Sequence, residues 1–299
     1  MQLLRNIPEV LPQPCVATIG FFDGVHRGHR YLIEQVREVA VVHGFASGVV
    51  TFPVHPRKVV QPEYHPELLT AYEEKVALLA ETGLDYCMML DFTPEVAILS
   101  AKEFMLFLYN HYNIRALVIG YDHRFGHNRS EGFDDYVRYG QELGIEVILA
   151  HAYIDKDVAV SSSVIRQLLS EGNVSEAASC LGYDYFLNGI VVSGYRVGRK
   201  IGFPTANLRV DDPDGVYAVR VTVAGQSYGG MLSIGYRPTM ANGTDRSIEV
   251  NIFNFHSDIY EQYICLSFVR YLRPELKFDS IDELIAQLHK DKEIASRYL

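Results

Sequence analysis

The sequence predicts two domains of different class: a doubly wound α/β domain, followed by a small antiparallel β-barrel with a terminal helix. In the first half, short apolar runs alternate with segments whose apolar residues recur at helical spacing. In the second half, strand-like runs follow one another through glycine and aspartate turns, without helices between them. A chain of 299 residues is long enough for two such cores. The change of pattern near Gly182 divides the chain into domains 1–182 and 183–299.

The strands of the first domain are expected to pair in parallel, because a helical segment separates each from the next. Thr70 with Glu73, and Ser100 with Glu103, have the spacing of capping boxes and predict helix starts. In a doubly wound sheet, ligands bind beyond the carboxyl ends of the strands. We therefore expect the site in the loops after the strand-like runs. These runs are 16–19, 45–52, 86–92, 116–119 and 145–150.

A glycine-rich stretch, residues 20–29, lies between the first strand and the first helix. A turn of this kind directs backbone N–H groups and the positive end of a helix at one spot, which suits a polyphosphate. His26 and His29 are three residues apart, so both can face that spot if the helix begins near them. An isolated His-x-x-His is equally typical of a tight turn with two surface histidines. The other loops at the same rim must distinguish these interpretations.

Three further loops are predicted at this rim: residues 51–57, residues 120–126, and the segment around 160–166. The last contains Ser162 and Ser163 at a helix start and Arg166 on its first turn, which favours anion binding. Serines in such places are also ordinary helix caps. Taken together with the histidine turn, the loops bring N–H donors, histidines and an arginine to one rim. The combination predicts an ATP site.

The second half contains a different phosphate-binding pattern, residues 194–208. Its glycines permit close backbone approach to a phosphate, and its basic residues supply cations to neutralise it. The glycines are Gly194, Gly198 and Gly202, and the basic residues are Arg196, Arg199 and Lys200. Thr205 and Asn207 are two residues apart on an extended segment, so their oxygens share a direction and suit Mg²⁺. The pattern is not a P-loop, and a loop with merely solvated basic residues would look similar.

A strictly alternating segment, residues 247–252, predicts a half-exposed strand in the second half. Glu249 lies on the same face as Ser247 and Asn251. A carboxylate on a rigid strand can accept a proton from an attacking hydroxyl. A solvent-facing glutamate would have the same spacing, so the pattern alone leaves both interpretations open. The other strand-like runs are 185–192, 216–223, 228–234 and 264–268, and Ser280 with Glu283 predicts the terminal helix, 284–298.

Composition limits the classes of partner. The formal net charge is −10 and there is no block of lysines or arginines, which argues against a protein that coats nucleic acid or an anionic membrane. The four cysteines are far apart and form no C-x-x-C pair, so neither a zinc site nor a disulfide framework is expected. The sequence contains no signal-peptide pattern and no membrane-spanning run. We expect a soluble cytoplasmic protein; its oligomeric state is not determined by the sequence.

Several motifs together resemble a known family nearly end to end. They are residues 20–29, Thr51-Phe52 with His55-Pro56, Leu68-Leu69-Thr70 with Glu74-Lys75, residues 120–126, Ser162-Ser163 with Ile165-Arg166, residues 202–208, Gly215-Val216-Tyr217, Glu249, and Leu272-Arg273-Pro274-Glu275 with Lys277-Phe278. The chain resembles the bacterial bifunctional riboflavin kinase/FMN adenylyltransferases, also called FAD synthetases. The segment Gly202 to Asn207 is highly specific for the kinase module, whereas the histidine turn is shared with other nucleotidyltransferases.

The resemblance implies a Rossmann-like nucleotidyltransferase domain that joins FMN to AMP and releases pyrophosphate. His26, His29 and Arg166 would be its catalytic residues. The resemblance places the following residues around its ATP: Gly20, Phe22, Asp23, Gly28, Asp122, Ser162 and Ser163.

The resemblance also implies a flavokinase barrel in which Glu249 is the base toward the ribityl 5′-hydroxyl. Its ATP would lie at Gly194, Gly198, Arg199, Lys200 and Gly202, and its Mg²⁺ at Thr205 and Asn207. ATP, riboflavin and FMN would be the small-molecule substrates.

The sequence departs from the family at a few positions. Phe21 stands where the family usually has asparagine, which removes a side-chain amide from the turn. Ser163 replaces a common threonine and His123 a common aromatic residue, and the proline before His55-Pro56 is displaced to Pro53. Two alternatives to a fully bifunctional enzyme therefore stay open: a first domain that is weakened or acts on another acceptor, and a nucleotide-binding module that has lost its chemistry.

Overall fold

The computed structural model describes residues 1–5, 10–61, 63–64, 67–120, 123–127, 131–155, 158–192, 206–208, 214–236 and 246–299. The chain forms two compact units, Met1–Ser162 and Ser163–Leu299. Each unit has its own sheet, of opposite strand polarity.

One parallel sheet forms the centre of the first unit. Its strands are β1 (Gln2–Arg5), β2 (Cys15–Ile19), β3 (Ala46–Thr51), β4 (Tyr86–Met89), β5 (Ile114–Ile119) and β6 (Glu146–Leu149). They are hydrogen-bonded in the order β1-β4-β3-β2-β5-β6, and every neighbouring pair is parallel. The chain order reverses between β2 and β5, which is the switch point where doubly wound sheets bind ligands. The predicted doubly wound α/β fold is confirmed.

The helices of the first unit follow from amphipathic patterns and local caps. They are α1 (Arg27–His43), α2 (Pro56–Val60), α3 (Tyr72–Ala80), α4 (Pro94–Ala97), α5 (Ala101–Tyr112) and α6 (Phe133–Leu143). Ser100 and Glu103 form the predicted capping box of α5. Every residue of β2, β3 and β4 is buried, as expected of parallel strands covered on both faces. A two-stranded hairpin, β7 (Ile154–Asp155) and β8 (Val158–Ala159), follows β6.

Two predictions for the first unit were wrong, and one strand was not predicted. Thr70 and Glu73 do not form a capping box: the N-cap of α3 is Ala71, whose N–H donates to the Glu74 carboxylate at 2.7 Å. The loop predicted over residues 51–57 ends in α2, which begins at Pro56 because proline is well suited to a first helical turn. Strand β1 was missed, since its pairing with β4 joins segments about eighty residues apart and leaves no local signal.

The second unit is built on an antiparallel sheet. Its strands are β9 (Phe186–Ile190), β10 (Ala206–Leu208), β11 (Gly215–Val223), β12 (Gln226–Tyr236), β13 (Arg246–Ile252) and β14 (Tyr263–Arg273). The order is β10-β13-β12-β11-β14-β9, a half-barrel in the described part of the chain. The terminal helix α9 (Ile281–Ser296) starts at Ser280, whose hydroxyl accepts from the Glu283 N–H, as predicted. The predicted antiparallel second fold with a terminal helix is confirmed.

Two helices precede the antiparallel sheet, α7 (Ser162–Ser170) and α8 (Val174–Leu181). Helix α7 begins at Ser162, so the two serines lie at a helix start, as predicted. Helix α8 packs on β14, where the Ser175 hydroxyl donates to the Val269 carbonyl at 3.5 Å. These contacts group residues 163–182 with the second unit. The predicted functional boundary at Gly182, which ends α8 in a left-handed conformation, stays a prediction.

Candidate functional site

The turn after β2 is held in an unusual backbone conformation. Phe22, Gly24 and Val25 have φ values of 57°, 74° and 37°. Positive φ is costly for phenylalanine and even more so for β-branched valine. Both side chains are buried, so the conformation is enforced by packing rather than chosen by the local sequence. The result is a rigid bend that leads directly into α1.

A segment before α3 fastens this turn. The Asp23 carboxylate accepts hydrogen bonds from the N–H groups of Leu69 at 2.9 Å and Thr70 at 3.3 Å. The Gly24 N–H in turn donates to the Thr70 hydroxyl at 3.2 Å. Asp23 and Thr70 thus form a reciprocal bridge across segments 46 and 47 residues apart. In this structure the Asp23 carboxylate supports the turn; its predicted contact with ATP stays a prediction.

The two predicted histidines lie side by side at the start of α1. His26 is the N-cap, and its Nδ1 accepts from the His29 N–H at 3.3 Å. The two rings stack with their centroids 3.6 Å apart. Burial lowers the pKa of His26 to about 4. Burial, and then the charges of His26 and Lys75, hold the pKa of His29 well below its usual range. Both imidazoles are therefore neutral at physiological pH.

The neutral state of the His26 ring and its hydrogen bond from the His29 N–H determine which ring nitrogen can donate to a ligand. Because its Nδ1 accepts a hydrogen bond, the proton of the neutral ring is on Nε2. His26 is thus a hydrogen-bond donor through Nε2. The Nδ1 of His29 is buried and, among the described residues, has no hydrogen-bond partner. Buried polar atoms without partners are rare and suggest a ligand or water contact.

Two of the predicted glycines lie at closely packed positions. A Cβ on Gly28 would lie 3.2 Å from the His26 ring and 3.3 Å from the Val160 carbonyl oxygen. A Cβ on Gly20 would lie 3.1 Å from the Phe22 ring. Both positions therefore let the histidine turn approach its neighbours closely. Their predicted contact with the phosphates of ATP stays a prediction.

Lys75 on α3 lies beneath the same turn and was assigned no role from the sequence. Its Nζ donates to the carbonyl oxygens of Phe52 at 2.7 Å and Phe21 at 3.1 Å. It also lies 3.9 Å from the centroid of the Phe21 ring. Phe21, where the family usually has an amide, makes an edge contact with His55 at 4.7 Å. Only its place in the Glu74-Lys75 motif marked Lys75 in the sequence.

Of the other residues predicted at the rim, the structure describes all but one. The Ser162 hydroxyl donates to the Asp23 carbonyl at 3.0 Å, which joins the start of α7 to the histidine turn. Ser163 and Arg166 belong to the second unit, where the Arg166 guanidinium donates to the Ser163 hydroxyl at 3.3 Å. Asp122 lies outside the described residues. Thus His26, His29, Gly20, Gly28, Asp23 and Ser162 are brought together.

In the second unit, strand register places two predicted residues opposite each other. Asn207 on β10 is the cross-strand partner of Glu249 on β13. On the other side of β13, Glu249 is paired with Ser233 of β12. Gly194, Gly198, Arg199, Lys200, Gly202 and Thr205 lie outside the described residues. The register brings a candidate Mg²⁺ ligand and the candidate base to one place on the sheet, although 42 positions separate them in the sequence.

Comparison with known proteins assigns a family to each half. Residues 9–164 match the model of FAD synthetase, and residues 181–299 match the model of riboflavin kinase. The bifunctional riboflavin kinase/FMN adenylyltransferase of Escherichia coli (strain K12) is 36% identical, with 100% of this chain and 98% of the relative covered. That of Bacillus subtilis (strain 168) is 35% identical, with 95% and 92% covered.

The chain belongs to the bifunctional riboflavin kinase/FMN adenylyltransferase family. Both halves of the family are present, with the histidine turn in the FAD synthetase match and Glu249 in the riboflavin kinase match. The bifunctional enzyme predicted from the sequence is thereby confirmed at the level of the family. The role of each named residue stays a prediction.

A similar solved structure has a different title. A crystal structure titled macrolide-efflux protein, from Streptococcus pneumoniae, is 33% identical with a TM-score of 0.87, and 97% of this chain and 96% of that one are covered. In this chain, no helix within the described ranges has both the length and the apolar character to cross a membrane. The described residues also contain no group of three or more His, Cys, Asp or Glu side chains arranged to hold a metal ion.

Proposed function

We propose that this chain phosphorylates riboflavin to FMN in its second half and transfers AMP from ATP to FMN in its first half, which yields FAD and pyrophosphate. One observation carries the proposal: the part of the chain that matches the FAD synthetase model contains the histidine turn. That turn lies at the switch point of a doubly wound sheet, where such folds bind nucleotides.

In adenylyl transfer, a phosphate oxygen of FMN attacks the α-phosphorus of ATP, and the bond to the oxygen bridging to the β-phosphorus breaks. The two histidines are neutral, so they act by donating hydrogen bonds and not as cations. His26 Nε2–H would donate to a phosphate oxygen, and the first N–H groups of α1 would add the positive end of the helix. Positioning and charge stabilisation do most of the catalysis.

The neighbouring residues support this geometry. Gly20 and Gly28 let the turn pack closely against Phe22, His26 and Val160, and buried Phe22 and Asp23 hold its shape. Ser162, Ser163, Arg166 and Asp122 are proposed, from the family resemblance, to contact the nucleotide. The guanidinium of Arg166 would neutralise the β and γ phosphates as pyrophosphate leaves.

In the kinase half, Glu249 would take the proton of the riboflavin 5′-hydroxyl while the hydroxyl oxygen attacks the γ-phosphorus of ATP. ADP then leaves. Asn207, opposite Glu249 in the sheet, and Thr205 offer the oxygen donors that Mg²⁺ prefers. When bound, Mg²⁺ would neutralise phosphate charge. Gly194, Gly198, Arg199, Lys200 and Gly202 are proposed to surround the ATP phosphates.

A single incubation tests the proposal. The pure protein is mixed with riboflavin, ATP and Mg²⁺, and the flavins are separated by chromatography over time. We expect riboflavin to disappear, FMN to rise first and FAD to follow. FMN without FAD would contradict the adenylyltransferase half, and FAD formed only from supplied FMN would contradict the kinase half. Omission of Mg²⁺ tests the metal requirement.

The partners and location are proposed in the same terms. The substrates are ATP and free flavins, and a net charge of −10 argues against nucleic acid or an anionic membrane as a partner. Cys15 and Cys87 are buried free thiols, which fits a reducing cytoplasm. Size-exclusion chromatography with light scattering, with and without total RNA or anionic vesicles, tests partner binding and also reports the oligomeric state.

A further inference from the structure

Lys75 is a buried cation whose Nζ donates to carbonyls at the ends of two central strands. Its side chain is on α3, and the residue is 2% exposed. The two carbonyls that accept from its Nζ belong to Phe21 and Phe52, which follow β2 and β3. The Thr51 hydroxyl also donates to the Phe21 carbonyl, at 3.1 Å. The ammonium therefore joins two strand ends at the point where one of them turns toward the histidines.

The charge of Lys75 is costly at this depth. Burial lowers the pKa of Lys75 to about 8, although Asp23 and Cys87 act in the opposite direction. The titratable groups that interact with it are Asp23 in the turn, His29 on α1 and Cys87 on β4. An apolar side chain of similar length would fill the same volume without this penalty. An apolar side chain would, however, leave the Phe21 and Phe52 carbonyls without the donor that Lys75 Nζ supplies.

The turn above Lys75 gives a reason for the charge. Phe22 and Val25 have positive φ, and such strain persists only where the surroundings over-determine it. The Phe21 carbonyl, one residue before the strained segment, accepts from both Lys75 and Thr51. Hydrogen bonds from a charged donor are about twice as strong as neutral ones. Lys75 thus fixes the residue from which the histidine turn departs.

We propose that Lys75 is a positioning residue for adenylyl transfer, which holds the strained turn in place and keeps a positive charge beneath His29. This inference rests on the proposed function and adds a residue to its machinery. Lys75 does not touch the reacting atoms. It acts through the orientation of the turn, because its charged Nζ is a stronger donor to the Phe21 carbonyl than a neutral amine would be.

The test is Lys75→Met, which keeps the length of the side chain and removes the charge. We expect kcat for FAD formation from supplied FMN to fall about 10- to 100-fold, because small misplacements of catalytic groups cost this much. Riboflavin phosphorylation by the same preparation should change less than about twofold, and it reports whether the variant is intact. Lys102→Met, on the exposed face of α5, is the matched control and should leave both activities unchanged.

A pH profile separates positioning by charge from simple packing. In the wild type, kcat for adenylyl transfer should decline as the pH rises through about 8, because Lys75 loses its proton there. The kinase activity should not share this decline. In Lys75→Met the rate should be low and should no longer decline near pH 8. If the variant does not fold, the wild-type profile of the two activities still tests the proposal.

The outcomes are distinguishable. A wild type that makes no FAD from FMN defeats the proposed function itself. A wild type that makes FAD, together with a Lys75→Met variant at the wild-type rate, overturns the inference alone. A variant that is slow but keeps the decline near pH 8 also overturns it, and so does a flat wild-type profile between pH 7 and 9.

Discussion

The two candidate sites of this chain are positioned in opposite ways. In the first unit, the histidines lie on a strained, buried turn held by side chains from another segment, including Asp23, Thr70 and Lys75. In the second unit, Glu249 lies on a regular strand, and antiparallel register alone places it opposite Asn207. A regular strand needs no side-chain support to aim a carboxylate. A strained turn needs such support, so remote substitutions should damage the first site more than the second.

Glu249→Gln is expected to separate the two activities most strongly. Loss of the base should lower kcat for riboflavin phosphorylation about 100- to 10,000-fold, the range for general-base catalysis. Adenylylation of supplied FMN should stay within about twofold of the wild type. Both rates are measured by flavin chromatography on one preparation, with Glu261→Gln, an exposed glutamate of the same unit, as control. Equal loss of both activities would contradict the separation of the sites.

His29→Ala is expected to have the reverse effect, with FAD formation impaired and riboflavin phosphorylation kept. Removal of a preorganised donor should lower kcat for FAD formation about 100- to 1,000-fold, while riboflavin phosphorylation continues. His111→Ala, an exposed histidine at the end of α5, is the matched control. Unchanged FAD production would remove His29 from the mechanism.

Acid should destabilise the first unit through its buried neutral histidines. The pKa of His26 is lowered from 6.5 to about 4, so between these values the unfolded chain binds a proton that the folded chain does not. Stability is therefore fully present above pH 6.5 and is lost as the pH falls toward 4, by on the order of 3 kcal/mol at most. Urea unfolding at several pH values measures this loss. His26→Gln should show a smaller loss over the same interval, and an identical loss would contradict the assignment.

The smallest expected effect tests the support of the turn. Asp23→Asn keeps the shape of the side chain but removes the negative charge of the carboxylate. That carboxylate accepts hydrogen bonds from the Leu69 and Thr70 N–H groups. The first unit should lose about 1–3 kcal/mol of stability, and FAD formation should fall more than riboflavin phosphorylation. Thermal unfolding and the two rates report these effects, with exposed Asp134→Asn as control. If both rates fall together, the turn is not the part that was weakened.

Much of the molecule follows from local sequence signals. Alternation of apolar runs and helical segments predicts the parallel sheet, and the loss of that alternation predicts the antiparallel one. Spacing identifies the Ser100–Glu103 cap, and the histidine turn and the segment Gly202 to Asn207 carry the family resemblance. These signals are local because helix periodicity, capping and strand alternation act over a few residues.

Only the tertiary structure decided which distant residues support the chemistry. The pairing of β1 with β4, the hydrogen bonds of Asp23 to Leu69 and Thr70, and the position of Lys75 beneath Phe21 join segments many residues apart. Capping by Ala71 instead of Thr70 follows from the same long-range demand, because Thr70 is used by the turn. Such contacts depend on how the whole chain buries its apolar surface. The sequence thus predicted the turn that carries the histidines, and packing decided what holds it.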